Sequence, residues 1–337
     1  MKNRLILFCC AAVAAAAPLA ASAKDMTVSH GYTPSHVYAV HGFDPFVACL
    51  QESFGSEMGF TIYPSGQIAS TKDSMVALQD GLVDIAPIAL SYDAAKLPIN
   101  GLISLPEFAN STENMAGLYR RALDTPEFQG EFTSQGLKPL FILSFPVFQI
   151  STTRPPITDL AGFKGLLIRS PGGIGNLTLA ALGAVPTEMP AADSFIAVER
   201  GTVNGTYSAL ESIKPYGLHE ILKSVSTNAP FGSIPTIATM DLKEWEALDA
   251  PAQEKITACS LKVEADLARH LDEQDKALQD EFAGMGIEVY AVDEALLSEV
   301  KGALSRVKDD YLARMGGRNE NIPAAYDSLV ALRDSGS

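Results

Sequence analysis

The chain has 337 residues, 47% hydrophobic and 19% charged, a composition that supports buried cores and excludes a disordered chain. Single cores stop growing near roughly 250–300 residues, so two lobes are expected. Lys plus Arg number 25 against 40 Asp plus Glu, a formal charge of -15 that repels phosphate backbones and anionic headgroups and excludes nucleic acid as a partner.

In chain order, Lys2 and Arg4 precede an apolar run over 5–17 and the small residues Ala21-Ser22-Ala23. That is the pattern of a cleavable signal peptide, with cleavage after Ala23 and export to the periplasm or medium expected. The run is shorter than the roughly 20 residues needed to span a bilayer. Losing the two positive charges moves the formal charge from -15 to -17. Cys49 and Cys259 remain, an even number compatible with one disulfide or with two buried thiols.

Residues 73–84 return as 193–204. In both stretches Asp-Ser opens a short amphipathic helix and a glycine, Gly81 or Gly201, closes it. Strands are expected at 61–63 and 85–90 around the first copy and at 185–189 and 206–210 around the second. Two strand–helix–strand units of this kind predict two similar α/β lobes built on parallel strands. Two further strands are expected at 137–143 and 165–168, where apolar runs suit burial on both faces. The polar, proline-containing stretch 151–156 is expected to cross between lobes as a hinge. Over 251–282, Ile256, Cys259, Val263, Leu267, Leu271, Leu278 and Phe282 form one helical stripe. A helix of that span is roughly 48 Å long, enough to lie across both lobes.

Arg169 ends the apolar run at 165–168 and is followed by Pro171-Gly172-Gly173 and a helix running to Leu182. Ligands of open α/β sheets bind outside the carboxyl ends of strands. There the guanidinium offers a two-pronged match to a carboxylate, and the helix N-terminus is expected to add unpaired N–H groups. There is no G-x-S-x-G elbow, P-loop or C-x-x-C pair. His30, His36 and His41 are too irregularly spaced for one metal-binding face. Asp272, Glu273, Asp275, Asp280 and Glu281 read as the solvated face of the long helix. The aromatics Tyr32, Tyr38, Tyr92, Phe148, Tyr207 and Phe231 fall near strand ends and are candidate cleft walls.

The segments Pro64-Ser65-Gly66, Ala77 to Gly81 with Asp84, Asp159-Leu160 with 162–169, Leu182-Gly183-Ala184, and 197–205 resemble the DctP-type solute-binding proteins of tripartite ATP-independent periplasmic (TRAP) transporters. The resemblance spans essentially the whole chain after residue 23. It implies an α/β, two-lobed binding-protein fold with hinge segments and a long helix spanning both lobes. The expected division is 24–147 plus about 234–275 for lobe I, and 148–233 plus about 276–337 for lobe II. It also implies closure over a small organic anion, delivery to a membrane permease of two subunits (DctQ/DctM-type), and no catalytic residue, metal or cofactor. The family arginine that grips the ligand carboxylate falls on Arg169. Where sialic acid binders carry a second arginine this chain has Phe148. A Gln-Glu-Asn run of many members is here Thr206-Tyr207-Ser208. The expected site is therefore Arg169 as anion clamp with Phe148, Tyr207 and Ser208, together with Tyr92, His30, Tyr32 and Phe231. A monocarboxylate with an apolar or aromatic end suits it better than a dicarboxylate. The alternative is a periplasmic enzyme acting on a small organic acid in the same cleft, which would need a strongly perturbed cleft carboxylate or histidine.

Overall fold

The computed structural model describes residues 24–143 and 146–335. The expected signal peptide, 1–23, lies outside them. Eleven strands are described: β1 (Lys24–Ser29), β2 (Met58–Tyr63), β3 (Ile85–Ala89), β4 (Leu137–Leu143), β5 (Gln149–Thr152), β6 (Leu167–Ser170), β7 (Val185–Glu188), β8 (Gly205–Ser208), β9 (Ser224–Ser226), β10 (Thr236–Asp241) and β11 (Glu288–Tyr290). They form two sheets, ordered β2-β1-β3-β10-β4 and β11-β9-β5-β8-β6-β7.

The repeated sequence is a repeated structure. The helices Ser74–Gln79 and Ser194–Glu199 each end at a glycine with positive φ, +68° at Gly81 and +70° at Gly201, the backbone region glycine enters without Cβ strain. Each helix joins two strands that flank a third, β1 in the first sheet and β6 in the second, and all these pairings are parallel. Neither opening aspartate caps its helix through its side chain. Asp73 instead accepts a hydrogen bond from the Ser70 hydroxyl at 2.6 Å.

The sheets are mixed, because each contains a strand running against its parallel set. β10 lies antiparallel between β3 and β4, and β5 antiparallel between β8 and β9. The chain passes between sheets from Leu143 to Gln149, from Ser226 to Thr236, and from Asp241 through the long helix to Glu288. The expected hinge at 151–156 is therefore not a crossing. Ser151 and Thr152 are the end of β5, and Pro155 and Pro156, which lack the ladder N–H, follow its last rung.

The long helix, Ala250–Gly284, packs on the helix Asp44–Phe54 and β4 near its start, on the helix Thr112–Leu123 in its middle, and on β11 and the turn Leu210–Ser212 at its end. Cys49 and Cys259 are joined in a disulfide, Cα to Cα 5.8 Å, that ties this helix to Asp44–Phe54. Arg120 pairs with the buried Glu264, which also accepts the Ile142 N–H at 2.7 Å. Asp272 is not simply solvated. Its carboxylate accepts the Thr112 and Glu113 N–H groups at 2.7 and 2.9 Å, holding the N-terminus of their helix. The last helix, Ile322–Ser335, packs on Thr112–Leu123 and Pro98–Gly101 of the first lobe. Its buried Ile322, Ala325 and Leu329 belong to the same core cluster as Ile99 and Leu118.

Candidate functional site

The topology aims both sheets at one place. The segments following β1 (Gly31, Tyr32, His36), β2 (Ser65, Gly66) and β3 (Ser91, Tyr92) face the ends of β6 (Arg169, Pro171), β7 (Pro190, Ala191, Ala192) and β8 (Ser208, Ser212). The antiparallel strands enter the same space from their amino ends, through Thr236 for β10 and Phe148 for β5. The result is an inter-lobe cavity of about 260 Å³ at the carboxyl ends of the parallel strands, smaller than the pockets that hold drug-sized ligands.

Arg169 is its buried cation, 2% exposed. Strand β6 starts two residues later than expected, because Gly165, at φ +73°, is still in the turn, so Arg169 lies within the strand. Its Nε donates to the Met189 carbonyl at 3.0 Å, one Nη to the Tyr207 carbonyl at 3.5 Å and the other to the Tyr92 hydroxyl at 3.3 Å. Among the described residues no carboxylate lies within ion-pair distance of it. Burial pushes its pKa down, with Tyr92, Tyr216 and Asp193 opposing. An arginine stays protonated all the same, so the fold holds a desolvated positive charge whose direct hydrogen-bond partners are two carbonyls and a hydroxyl. Tyr92 crosses the cleft from the first lobe and also accepts the Ala191 N–H at 3.1 Å.

Phe148, Ser208, Tyr92 and Tyr32 line the cavity with Arg169. Tyr207, His30 and Phe231 do not. Successive residues of a strand point to opposite faces, so with Ser208 facing the cleft Tyr207 turns away, its hydroxyl donating to the Phe231 carbonyl at 2.8 Å and its ring edge-on to Phe148 at 4.9 Å. Phe231 packs against Phe163. His30 stacks on Phe43 at 4.8 Å, its pKa pushed down to about 4 by burial. Nor does the helix N-terminus after Arg169 open onto the cleft. The Gly172 N–H goes to the Ser170 hydroxyl, and the Gly175 and Asn176 N–H groups go to the Gly172 and Gly173 carbonyls.

The residues that sequence reasoning missed are His36, Tyr216, Ser91, Ser212, Thr236 and an exposed Lys72 at the mouth. No group of three or more metal-type side chains gathers among the described residues. His41 stacks on His270 at 3.7 Å, away from His36.

Two α/β lobes that bring the carboxyl ends of their parallel strands together around one buried, uncompensated arginine define a two-lobed solute-binding protein. The family model of the DctP proteins, bacterial extracellular solute-binding protein family 7, matches residues 28–314, and the chain belongs to that family, the TRAP-type group it resembles in sequence. The sialic acid-binding periplasmic protein SiaP of Vibrio cholerae is 24% identical over 187 residues, 52% of this chain and 55% of that one, so the match spans about half of each. A TRAP solute-binding protein of Bordetella bronchiseptica, solved with (R)- and (S)-mandelate, superposes with a TM-score of 0.81 at 20% identity, covering 93% of this chain and 99% of that one. Another, from an unidentified marine microbe and solved with 3-hydroxybenzoate, gives 0.86 at 19% identity, covering 92% and 98%. The family binds solutes for transport and is periplasmic; the enzyme alternative is set aside. Among the described residues no helix is long and apolar enough to cross a membrane.

Proposed function

We propose that the protein captures a small organic monocarboxylate with an apolar or aromatic far end and hands it to a two-subunit membrane permease, having reached the periplasm by loss of residues 1–23. The supporting observation is the Arg169 guanidinium, buried in the cleft without a counter-ion. One desolvated cation neutralises one carboxylate. A second would be stripped of water against Phe148, and a buried unpaired charge costs far more than the roughly 1–3 kcal/mol of a neutral polar group. Lys72 does not alter this balance, since an exposed ammonium at the rim gains only about 0–1 kcal/mol. An apolar tail, in contrast, gains about 25 cal/mol per Å² against Phe148, Tyr32 and Ile234. Similar folds hold mandelate and 3-hydroxybenzoate, and others hold pyroglutamate or galacturonate, each a monocarboxylate.

The direct test is mass spectrometry of ligand retained by the purified protein, followed by competition titration of benzoate and phenylacetate against succinate, malate and sialic acid. Tighter binding of the aromatic monocarboxylates is expected. Tightest binding of a C4-dicarboxylate would overturn the ligand class while leaving the family in place.

A further inference from the structure

We infer that the cleft carries a second recognition point, the His36 Nε2–H, which selects among monocarboxylates those bearing a hydroxyl or carbonyl oxygen beyond the carboxylate; this presupposes the monocarboxylate reading above. His36 follows β1, on the opposite lobe from Arg169, and lines the same cavity while only 1% exposed. Its Nδ1 accepts the Tyr38 backbone N–H at 3.2 Å. A ring nitrogen that accepts carries no proton, so in the neutral ring the proton sits on Nε2. That Nε2 is buried and has no hydrogen-bond partner in the structure.

The ring cannot turn aside to find one. Tyr32, Tyr38 and Tyr216 surround it, with centroids 4.7, 5.0 and 5.6 Å away. It is also kept neutral, burial and the neighbouring His30 pushing its pKa down to about 3. A neutral donor satisfies an uncharged acceptor without supplying the charge a second carboxylate needs. Tyr216 lines the cavity with both Arg169 and His36 and sets its ring against His36.

His30 provides an internal contrast. Its Nδ1 accepts the Tyr32 N–H in the same way at 3.2 Å and its Nε2 is likewise unpartnered, yet it does not line the cavity. Of these two preset donors, only that of His36 belongs to a residue lining the cavity. Ser208, buried and also without a partner for its hydroxyl, stands on the strand beside Arg169 and is placed to serve the carboxylate end.

A site built around a preset donor discriminates against an analogue that leaves it unpaired. The test is calorimetry of the purified protein with two matched pairs, phenylacetate against mandelate and benzoate against 3-hydroxybenzoate, in wild type, His36→Phe and His36→Asn. Wild type should favour the oxygenated member of at least one pair by about tenfold or more. His36→Phe should bring that preference within about twofold, and His36→Asn, which retains an N–H, should recover part of it. Should His36→Phe fail to fold, histidine ¹⁵N resonances of the wild type decide: the oxygenated acid must shift the His36 Nε2 signal, and its unsubstituted partner must not. Equal affinities within both pairs, a preference intact in His36→Phe, or equal Nε2 shifts would overturn the inference alone. Failure of wild type to bind any of the four acids would remove the monocarboxylate reading and this inference with it.

Discussion

Replacing Arg169 with Ala separates binding from folding, and the structure sets both magnitudes. The side chain has no ion-pair partner among the described residues, so its loss breaks no buried salt bridge. It removes three hydrogen bonds, to the Met189 and Tyr207 carbonyls and the Tyr92 hydroxyl. Each is worth roughly 0.5–1.5 kcal/mol net, and the relief of burying an uncompensated cation offsets part of that total. The ligand-free protein should therefore melt within about 5 °C of wild type. The bound state differs. A carboxylate buried without its cation costs roughly 2–5 kcal/mol, or about 30- to 4,000-fold in Kd. Arg169→Lys should fall between, because an ammonium lacks the planar fork. The assay is calorimetry with benzoate, paired with the ligand-induced rise in Tm. A Kd in Arg169→Ala within threefold of wild type would remove Arg169 from the site.

Three further outcomes are expected. Phe148→Arg should improve succinate binding relative to benzoate by tenfold or more in competition titration, and an unchanged ratio would mean that residue 148 does not face the ligand's far end. Cys49→Ser with Cys259→Ser should lower the unfolding free energy in urea by about 2–5 kcal/mol, the disulfide closing a separation of 210 residues, with ligand affinity unchanged; equal stability with and without the bond would refute this. Glu211 is buried with both carboxylate oxygens unpartnered, and burial, reinforced by Asp275 and Asp272, pushes its pKa up to about 8. The folded state then keeps a proton that the unfolded chain has already lost, so stability falls as pH rises from the ordinary carboxylate range through about 8. Glu211→Gln should flatten that decline and raise the Tm above pH 8; identical pH slopes would place the decline on other groups.

The lobes were legible because two local signals coincided, an amphipathic helix stopped by a glycine and an apolar run on each side. What joins the strands was not. An apolar run such as 137–143 records burial on both faces but not its neighbour, so the insertion of β1 between β2 and β3 and of β10 between β3 and β4 left no local trace. Arg169 stood out as a charge ending an apolar run. Tyr207 and Ser208 could not be ranked, since β8 is buried on both faces and alternation alone does not say which face meets the cleft. His36 was passed over because its chemistry depends on which ring nitrogen is engaged. The doublet His30-Gly31-Tyr32 and His36-Val37-Tyr38 was the available signal, with each histidine ring accepting the N–H two residues on.

The placement of β10 has a consequence for how the protein comes into being. The first sheet takes its fourth strand from 236–241, after the chain has laid down five of the six strands of the second. A nascent chain ending anywhere before that point carries β3 and β4 without the strand that bridges them, two open edges that invite wrong pairing. The covalent tie at Cys49 must wait longer still, for Cys259. The lobes are thus not beads that condense one after the other as the ribosome advances. They are interleaved, and the first can close only when most of the second is already present, which places this chain among slow folders governed by distant contacts. A lobe cut out at a single boundary would be an unfinished sheet; moving one into another protein requires two cuts and a splice.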